Sequence, residues 1–448
     1  MLTVAEAQTR VHDLVAQAKQ AGADAADGLY VCNESTSVSV RLGELEDVER
    51  SEGETIGLRL FVGRRSASVS SSDLSGDALA TLVERAVAMA REAPEDAYAG
   101  LAPEERLLRG APPSVDGDDG AAVPPEDLRA RALVAEEAAR AVAGVTNSEG
   151  ASASHGRTII ALVTSHGFTG GYATSGHGCS ASVIAGEGGG MQRDYAHRSA
   201  RHLADLEEAE AIGRRAGERT VARLNPAKLA SGAMPILFDP RVGSSLLGHL
   251  AGAITGAAIS RKTSFLLDAL DSQVFARGIS IVDDPLRARG LGSKPFDGEG
   301  LPTARRDLIA DGVLTGWLLD SASARQLGLE PTGNAQRGIG GPPGAGTTNL
   351  YMAAGTLSPA ALMKDVKRGL YVTELIGQGV NPVTGDYSRG AAGFLIEDGA
   401  IAAPVAEITI AGQLRAMFLA LTPADDLRFE RATDVPTIRI DGMTVAGA

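Results

Sequence analysis

Cysteine is almost missing from this chain. Cys32 and Cys179 are the only two, too few for a disulfide framework or a Cys-rich zinc module, so each reads as a small buried hydrophobe. Long apolar runs are also missing: none approaches the roughly 20 residues that a bilayer-spanning helix needs. The opening MLTVAEAQTRVHDL has acids and Arg interrupting any signal-peptide apolar region, so no secretory signal is expected there. These absences predict a cytoplasmic protein with no membrane partner. Basic charge is in deficit, with 42 Lys and Arg against 56 Asp and Glu and a formal charge of −14. An extended nucleic-acid groove needs clustered cations to replace phosphate counterions, so no nucleic-acid partner is expected. Aromatics make up only 4% of the chain while Gly reaches 55 residues, a balance that favours turns, hairpins and close backbone contacts.

Several signatures of chemistry fail as well. There is no G-x-x-x-x-G-K-[ST] and no G-x-S-x-G, so neither a P-loop nor a serine-hydrolase elbow is supported. The Gly-rich stretches near Gly186 and Gly338 lack the strand, helix and following acid of a dinucleotide fingerprint. Five of the seven histidines fall between His155 and His202. The eleven-residue spacing of His155, His166 and His177 has no standard metal logic. The three could sit on adjacent strands, but surface or turn positions are expected for them, and His197 and His202 read as solvent-facing near a helix start.

What is present is an α+β pattern. Thr3 and Glu6 form a capping box for a first helix whose apolar face is Val11, Leu14, Val15 and Ala18, closed by Gly22. Period-two alternation then runs from about Ala26 to Ser70. A second helix spans about Asp77 to Arg91, and a Pro/Gly/Asp-rich loop occupies about 101–125. A third helix follows from about Glu126 to Val142, then strands, then a helix from about Leu203 to Leu224. The segment NPAKLASG leads into a second half that opens with MPILFD and a small-residue helix at 242–259. Short strands dominate the rest, and Asp311–Gly312, Asp398–Gly399 and Asp441–Gly442 are expected to form hairpin turns. The predicted organisation is an N-terminal α/β-type domain at 1–228 followed by a mainly β domain at 229–448.

The segments GEGGGMQRDY (186–195), SSLLGHLAGAITGAAISRKTSFL (244–266), GISIVDDP (278–285), GLEPTGNAQRG with TTNLY (328–351), and GQGVNPVTGDYSRGAAGFLIEDGAIAAPVAEITIAGQL (377–414) together resemble the PmbA/TldE family over nearly the whole chain. That resemblance implies a subunit of a heterodimeric zinc metallopeptidase in the cytoplasm, acting on short or unfolded polypeptides such as leader segments of microcins and small labile antitoxins. It also implies a TldD-type partner that carries H-E-x-x-x-H on a helix, an Arg-Lys pair after it, and a Cys ligand near its C-terminus. Anchored on Arg261–Lys262, the first metal His falls on Gly248, the general-base Glu on His249, and the second His on Ala253. The last hundred residues contain no Cys. The resemblance therefore predicts a TldE-type chain with no catalytic residue and no metal of its own, the zinc and general base coming from the partner.

His249 reads as a helix histidine at a packed interface. The small-residue helix suits either tight packing within its own domain or a partner interface. Asn334, Arg337 and Asn349 are candidates for holding an extended peptide by β-augmentation; equally, they could stabilise their own turns. A stand-alone, non-catalytic peptide-binding or regulatory protein is the alternative reading. An autonomous peptidase using the 155–202 histidines is a third.

Overall fold

The computed structural model describes residues 2–447. The fold is α+β, as the periodicities predict. Helix α1 (Val4–Gln20) begins at the expected capping box: the Glu6 amide donates to Thr3 Oγ1 at 3.3 Å and the Thr3 amide to Glu6 Oε2 at 2.7 Å. Strands β1 (Ala25–Arg41), β2 (Glu44–Val62) and β3 (Arg65–Ser71) follow, then α2 (Gly76–Glu92) and α3 (Pro125–Arg140). Strands β4 (Val145–Thr164), β5 (Thr169–Ala185) and β6 (Gln192–Ala200) complete one antiparallel sheet in the order β3-β2-β1-β4-β5-β6, and α4 (Ala209–Ala222) returns across it.

Alternation along these strands divides the sheet into two dry faces. Tyr30, Cys32, Ile159, Ala161 and Val163 bury against α1 and α2. On the same face further along, Val38, Val40, Ala151, Ala153 and Cys179 bury against α3 and α4. The opposite set, Leu29, Leu162 and the partly buried Val31 and Ile160, packs on Phe296 and Leu301 from the second half of the chain. Both cysteines are buried and free, and burial pushes the Cys179 thiol up to about 11.

The second half begins with β7 (Gly232–Phe238), α5 (Pro240–Ala253) and α6 (Gly256–Ser260). There follow β8 (Ile281–Asp283), β9 (Arg306–Ala310), β10 (Val313–Leu314), α7 (Ser321–Leu327), β11 (Ala335–Gln336), β12 (Gly344–Ala345), β13 (Leu350–Met352) and α8 (Pro359–Met363). The chain ends with β14 (Arg368–Ile376), β15 (Asp386–Glu397), β16 (Ala400–Gln413), α9 (Leu414–Leu419), β17 (Leu421–Pro423), β18 (Thr433–Asp434) and β19 (Ile438–Ala446). The larger sheet runs β16-β15-β14-β7-β19-β17, and an added β16–β19 pairing closes its first five strands into a ring. A five-stranded sheet, β10-β9-β8-β13-β18, and the small β11–β12 hairpin stand beside it.

Three local expectations are corrected. The helix expected from Leu203 starts at Ala209, with only a single 3₁₀ turn at Leu203–Asp205; the Leu203 amide is taken by Asp119 Oδ2 at 2.8 Å. The helix expected over 242–259 is two helices. Leu318 pairs with Ile254 and Gly256 from both sides, at 2.9 and 2.8 Å, and Thr255 caps the second piece. Asp311–Gly312 and Asp398–Gly399 do turn two hairpins, both residues of each pair having positive φ. Asp441–Gly442 instead forms a bulge inside β19, where the register against β7 shifts between Ile440 and Met443. An Asp-Gly pair supplies positive φ for either use, and the strands on both flanks decide between them.

Candidate functional site

Helix α5 holds the positions the motif comparison singles out. Asp239 caps it through the Arg241 amide at 2.8 Å, and Pro240 fits the first turn. Leu246, Leu247, Leu250 and Ala253 enter the core while Gly248 and Gly252 face outward. Positions five apart on a regular helix diverge by about 140°. Gly248 is accordingly exposed, and a Cβ there would meet nothing within 4 Å, whereas Ala253 is 4% exposed. Neither residue has a donor atom, and the two do not look at a common point. His249 lies half-buried, edge-on to Tyr387 with ring centroids 6.1 Å apart. Its Nε2 is buried with no hydrogen-bond partner. Burial first, and then Arg389, holds the His249 imidazole below its usual range, so it is neutral at pH 7. A zinc ion does not fit these three residues.

The other histidines are placed differently from expectation. His155 and His177 are direct cross-strand partners on β4 and β5, stacked at 4.8 Å. His177 is buried and its Nε2 lies 2.9 Å from Asp119. Asp119 itself is held far below the carboxylate range: burial opposes ionisation, but the Leu203 and Ala121 amides and Ser175 outweigh it. The expectation of surface or turn positions therefore fails for His177, because the 101–125 loop folds back and covers it. It holds for His166, in the β4–β5 turn and bonded to the Ala102 carbonyl at 2.8 Å. His197 is on β6, partly buried, and not near a helix start; His202 is also partly buried, 3.0 Å from the Asp116 carbonyl. Among the described residues, no group of three His, Cys, Asp or Glu side chains could hold a metal ion.

The three peptide-binding candidates lie inside the molecule. Asn334 is 5% exposed and donates to Asp283 Oδ2 at 3.1 Å and the Gly346 carbonyl at 3.3 Å. Asn349 is fully buried and bridges the Asp284 carbonyl, Ser293 and the Gly292 amide at 2.7 to 2.8 Å. Their amides close the turns around them, the second of the two uses the sequence left open. Arg337 does something no local pattern announces. Its Nη1 reaches 2.6 Å from Asp27 Oδ1 on the first sheet, where Asp27 already takes a fork from Arg59. This buried triad, on the face that carries Leu29, joins the two halves of the chain. Its only trace in the sequence is a charge within each of two apolar strands, Asp27 before GLYV and Arg59 between Leu58 and Leu60. A charge there must find a partner or forfeit several kcal/mol of solvation.

Beside the triad, Asp297 and Glu299 are each 3% exposed. Burial, and then Glu299, pushes the Asp297 carboxyl up to about 7, although the Leu301, Glu299 and Ala335 amides all favour its charged form. A carboxyl raised on folding binds protons more tightly in the folded state, so stability falls as pH rises from about 4 toward 7. Asp297→Asn keeps an acceptor oxygen and removes that titration. Between pH 5 and pH 8 the wild-type chain should lose at least about 1 kcal/mol relative to the variant in urea unfolding. Parallel pH profiles would refute the assignment.

With this geometry in view, comparison with known proteins is decisive. Residues 231–447, 118–224 and 27–90 match the PmbA/TldA metallopeptidase C-terminal domain, central domain and domain 1. The Escherichia coli O157:H7 protein named metalloprotease PmbA is 40% identical over 453 residues, covering 100% of this chain and 98% of that one. This chain belongs to the PmbA/TldD metallopeptidase family. A Bacteroides thetaiotaomicron structure, described as a candidate modulator of DNA gyrase, superposes with a TM-score of 0.92 at 28% identity over the full length of both chains. TldE from Thermococcus kodakarensis shares the fold, with a TM-score of 0.87 at 21% identity over 98% of this chain and all of that one. Among the described residues of this family member, no helix is long and apolar enough to cross a membrane.

Proposed function

We propose that this chain is the TldE-type subunit of a two-chain zinc metallopeptidase, working in the cytoplasm with a TldD-type partner. The partner supplies the zinc and the general base. This chain contributes binding of short or unfolded peptides and keeps folded protein out. The observation that supports the reading is on α5: in a member of a metallopeptidase family, Gly248 and Ala253, the positions the resemblance assigns to the metal ligands, have no donor atoms and point apart. At the position of the general base stands His249 in place of a carboxylate, and its Nε2 is shut away from solvent, out of reach of a bound water.

The test is reconstitution from separately purified subunits, with a fluorogenic unstructured peptide as substrate. Peptide hydrolysis by the mixture should exceed the sum of the two subunits alone by at least about tenfold and stop on chelation. Hydrolysis by this chain alone after zinc loading would overturn the reading, and so would a partner equally active without it. Unchanged peptide affinity in the absence of any TldD-type subunit, with no gain in hydrolysis on mixing, would favour the stand-alone binding protein.

A further inference from the structure

A chain with a formal charge of −14 nevertheless gathers six arginines around one cleft of about 260 Å³: Arg198, Arg215, Arg219, Arg241, Arg428 and Arg431. Helix α4, the first turn of α5 and the segment 426–435 form its walls, where the first sheet meets the second half of the chain. Three of these cations are already neutralised. Arg198 pairs with Glu430 at 2.7 Å and Glu207 at 2.9 Å, Arg215 pairs with Glu207, and Arg241 pairs with Asp194 at 3.0 Å and Asp239 at 3.3 Å.

The remaining carboxylates are occupied elsewhere. Asp426 accepts from Thr437, and Asp434 Oδ1 accepts from the Glu430 and Arg431 amides. Asp434 Oδ2 has no hydrogen-bond partner but lies 3.9 Å from Arg287 Nη2, and burial pushes that carboxyl toward its neutral form. Arg219 and Arg431 spend single bonds on the carbonyls of Tyr195 and Arg241, at 3.4 and 3.1 Å. Among the described residues, Arg219, Arg428 and Arg431 have no carboxylate partner within 4.0 Å. His197, beside them, is held below its usual pKa by burial and then by Arg431, Arg198 and Arg219, which marks the local field as positive. The N-terminal end of the 14-residue α5 adds its dipole in the same place.

Guanidinium groups left without counterions in a concave, partly desolvated site suit planar, bidentate oxyanions. We propose that this cleft binds a carboxylate or phosphate group of a ligand between Arg219, Arg428 and Arg431. The site belongs to this chain alone, so its test does not depend on the TldD-type partner or on peptidase activity.

Calorimetric titration of the full chain with inorganic phosphate should give saturable binding, weakened about tenfold or more by Arg219→Gln or Arg428→Gln. Arg428 is exposed and makes no contact the fold depends on, so its variant remains informative if Arg219→Gln fails to fold. A peptide with a free C-terminus, tested against its amidated twin, separates the sources. Displacement of phosphate by the acid but not by the amide identifies a peptide carboxylate as ligand. Phosphate binding with neither peptide competing identifies a phosphorylated ligand. No saturable binding of phosphate or of the acid peptide, or binding unchanged in both variants, would overturn the proposal.

Discussion

Asp27→Asn should lower the unfolding free energy by about 3 kcal/mol or more, because it leaves two buried guanidiniums facing an uncharged amide. Asp27 is 1% exposed and Arg59 6%, and the Arg337 side chain is 1% exposed. Burial alone would raise the Asp27 pKa, yet Arg337 and Arg59 together hold it below the usual carboxylate range. The sign of the pH dependence follows. A carboxylate whose pKa is depressed on folding contributes stability that is complete above the unfolded value, about 3.9, and is lost only as pH falls through the folded one. The difference between wild type and variant should therefore be flat from pH 6 to 8 and should shrink in acid. Arg337→Met should be milder, since the Asp27–Arg59 fork survives with its 3.0 Å bond intact. In the double variant, only part of the Asp27→Asn loss should be recovered, because one buried guanidinium, Arg59, is still left without its carboxylate. Urea unfolding of the three variants checks this. An Asp27→Asn chain within about 0.5 kcal/mol of wild type would show that the triad is not what joins the halves.

The second large effect is steric and lies on the same seam. Gly57 pairs with Leu29 in the first sheet, and its open side receives the tip of the β11–β12 hairpin. A Cβ at Gly57 would sit 2.0 Å from the Ile339 carbonyl oxygen and 3.0 Å from its carbon. Backbone cannot rotate aside as a side chain can, so the whole hairpin must move, and Arg337 moves with it. Gly57→Ala should cost about 1–3 kcal/mol by overpacking. Gly53, four residues earlier on the same strand, has open space where its Cβ would be, and Gly53→Ala should stay within about 0.5 kcal/mol of wild type. Equal stability of the two variants would mean that the hairpin does not press on the sheet. A Gly57→Ala chain that unfolds in two separated transitions would show the halves uncoupling first.

Much of the local structure was legible because its causes are local. The capping box at Thr3 and Glu6 needs only residues three apart, and the apolar faces of α1 and α2 need only a 3.6-residue period. Asp311–Gly312 and Asp398–Gly399 reach positive φ because Gly has no Cβ and Asp tolerates the left-handed region, while their flanking strands make the turns hairpins. The misreadings share one cause, a partner remote in sequence. Leu318 splits the 242–259 helix, Asp119 delays α4, and the returning 101–125 loop buries His177. Asn334 and Asn349 stand out in the sequence as special positions, but which groups their amides meet depends on what the fold brings within hydrogen-bond distance of them.

Family membership, the α+β class and the missing donor atoms at Gly248 and Ala253 are properties of the sequence, since side-chain identity and periodic spacing are written there directly. The outward direction of Gly248, the inward direction of Ala253, the triad of Asp27, Arg59 and Arg337, and the unpaired arginines of the cleft belong to the tertiary structure. Each depends on charges or faces more than a dozen residues apart meeting at angstrom distances. Burial then multiplies the strength of whatever meets, because a low dielectric enlarges both the attraction of paired charges and the cost of unpaired ones.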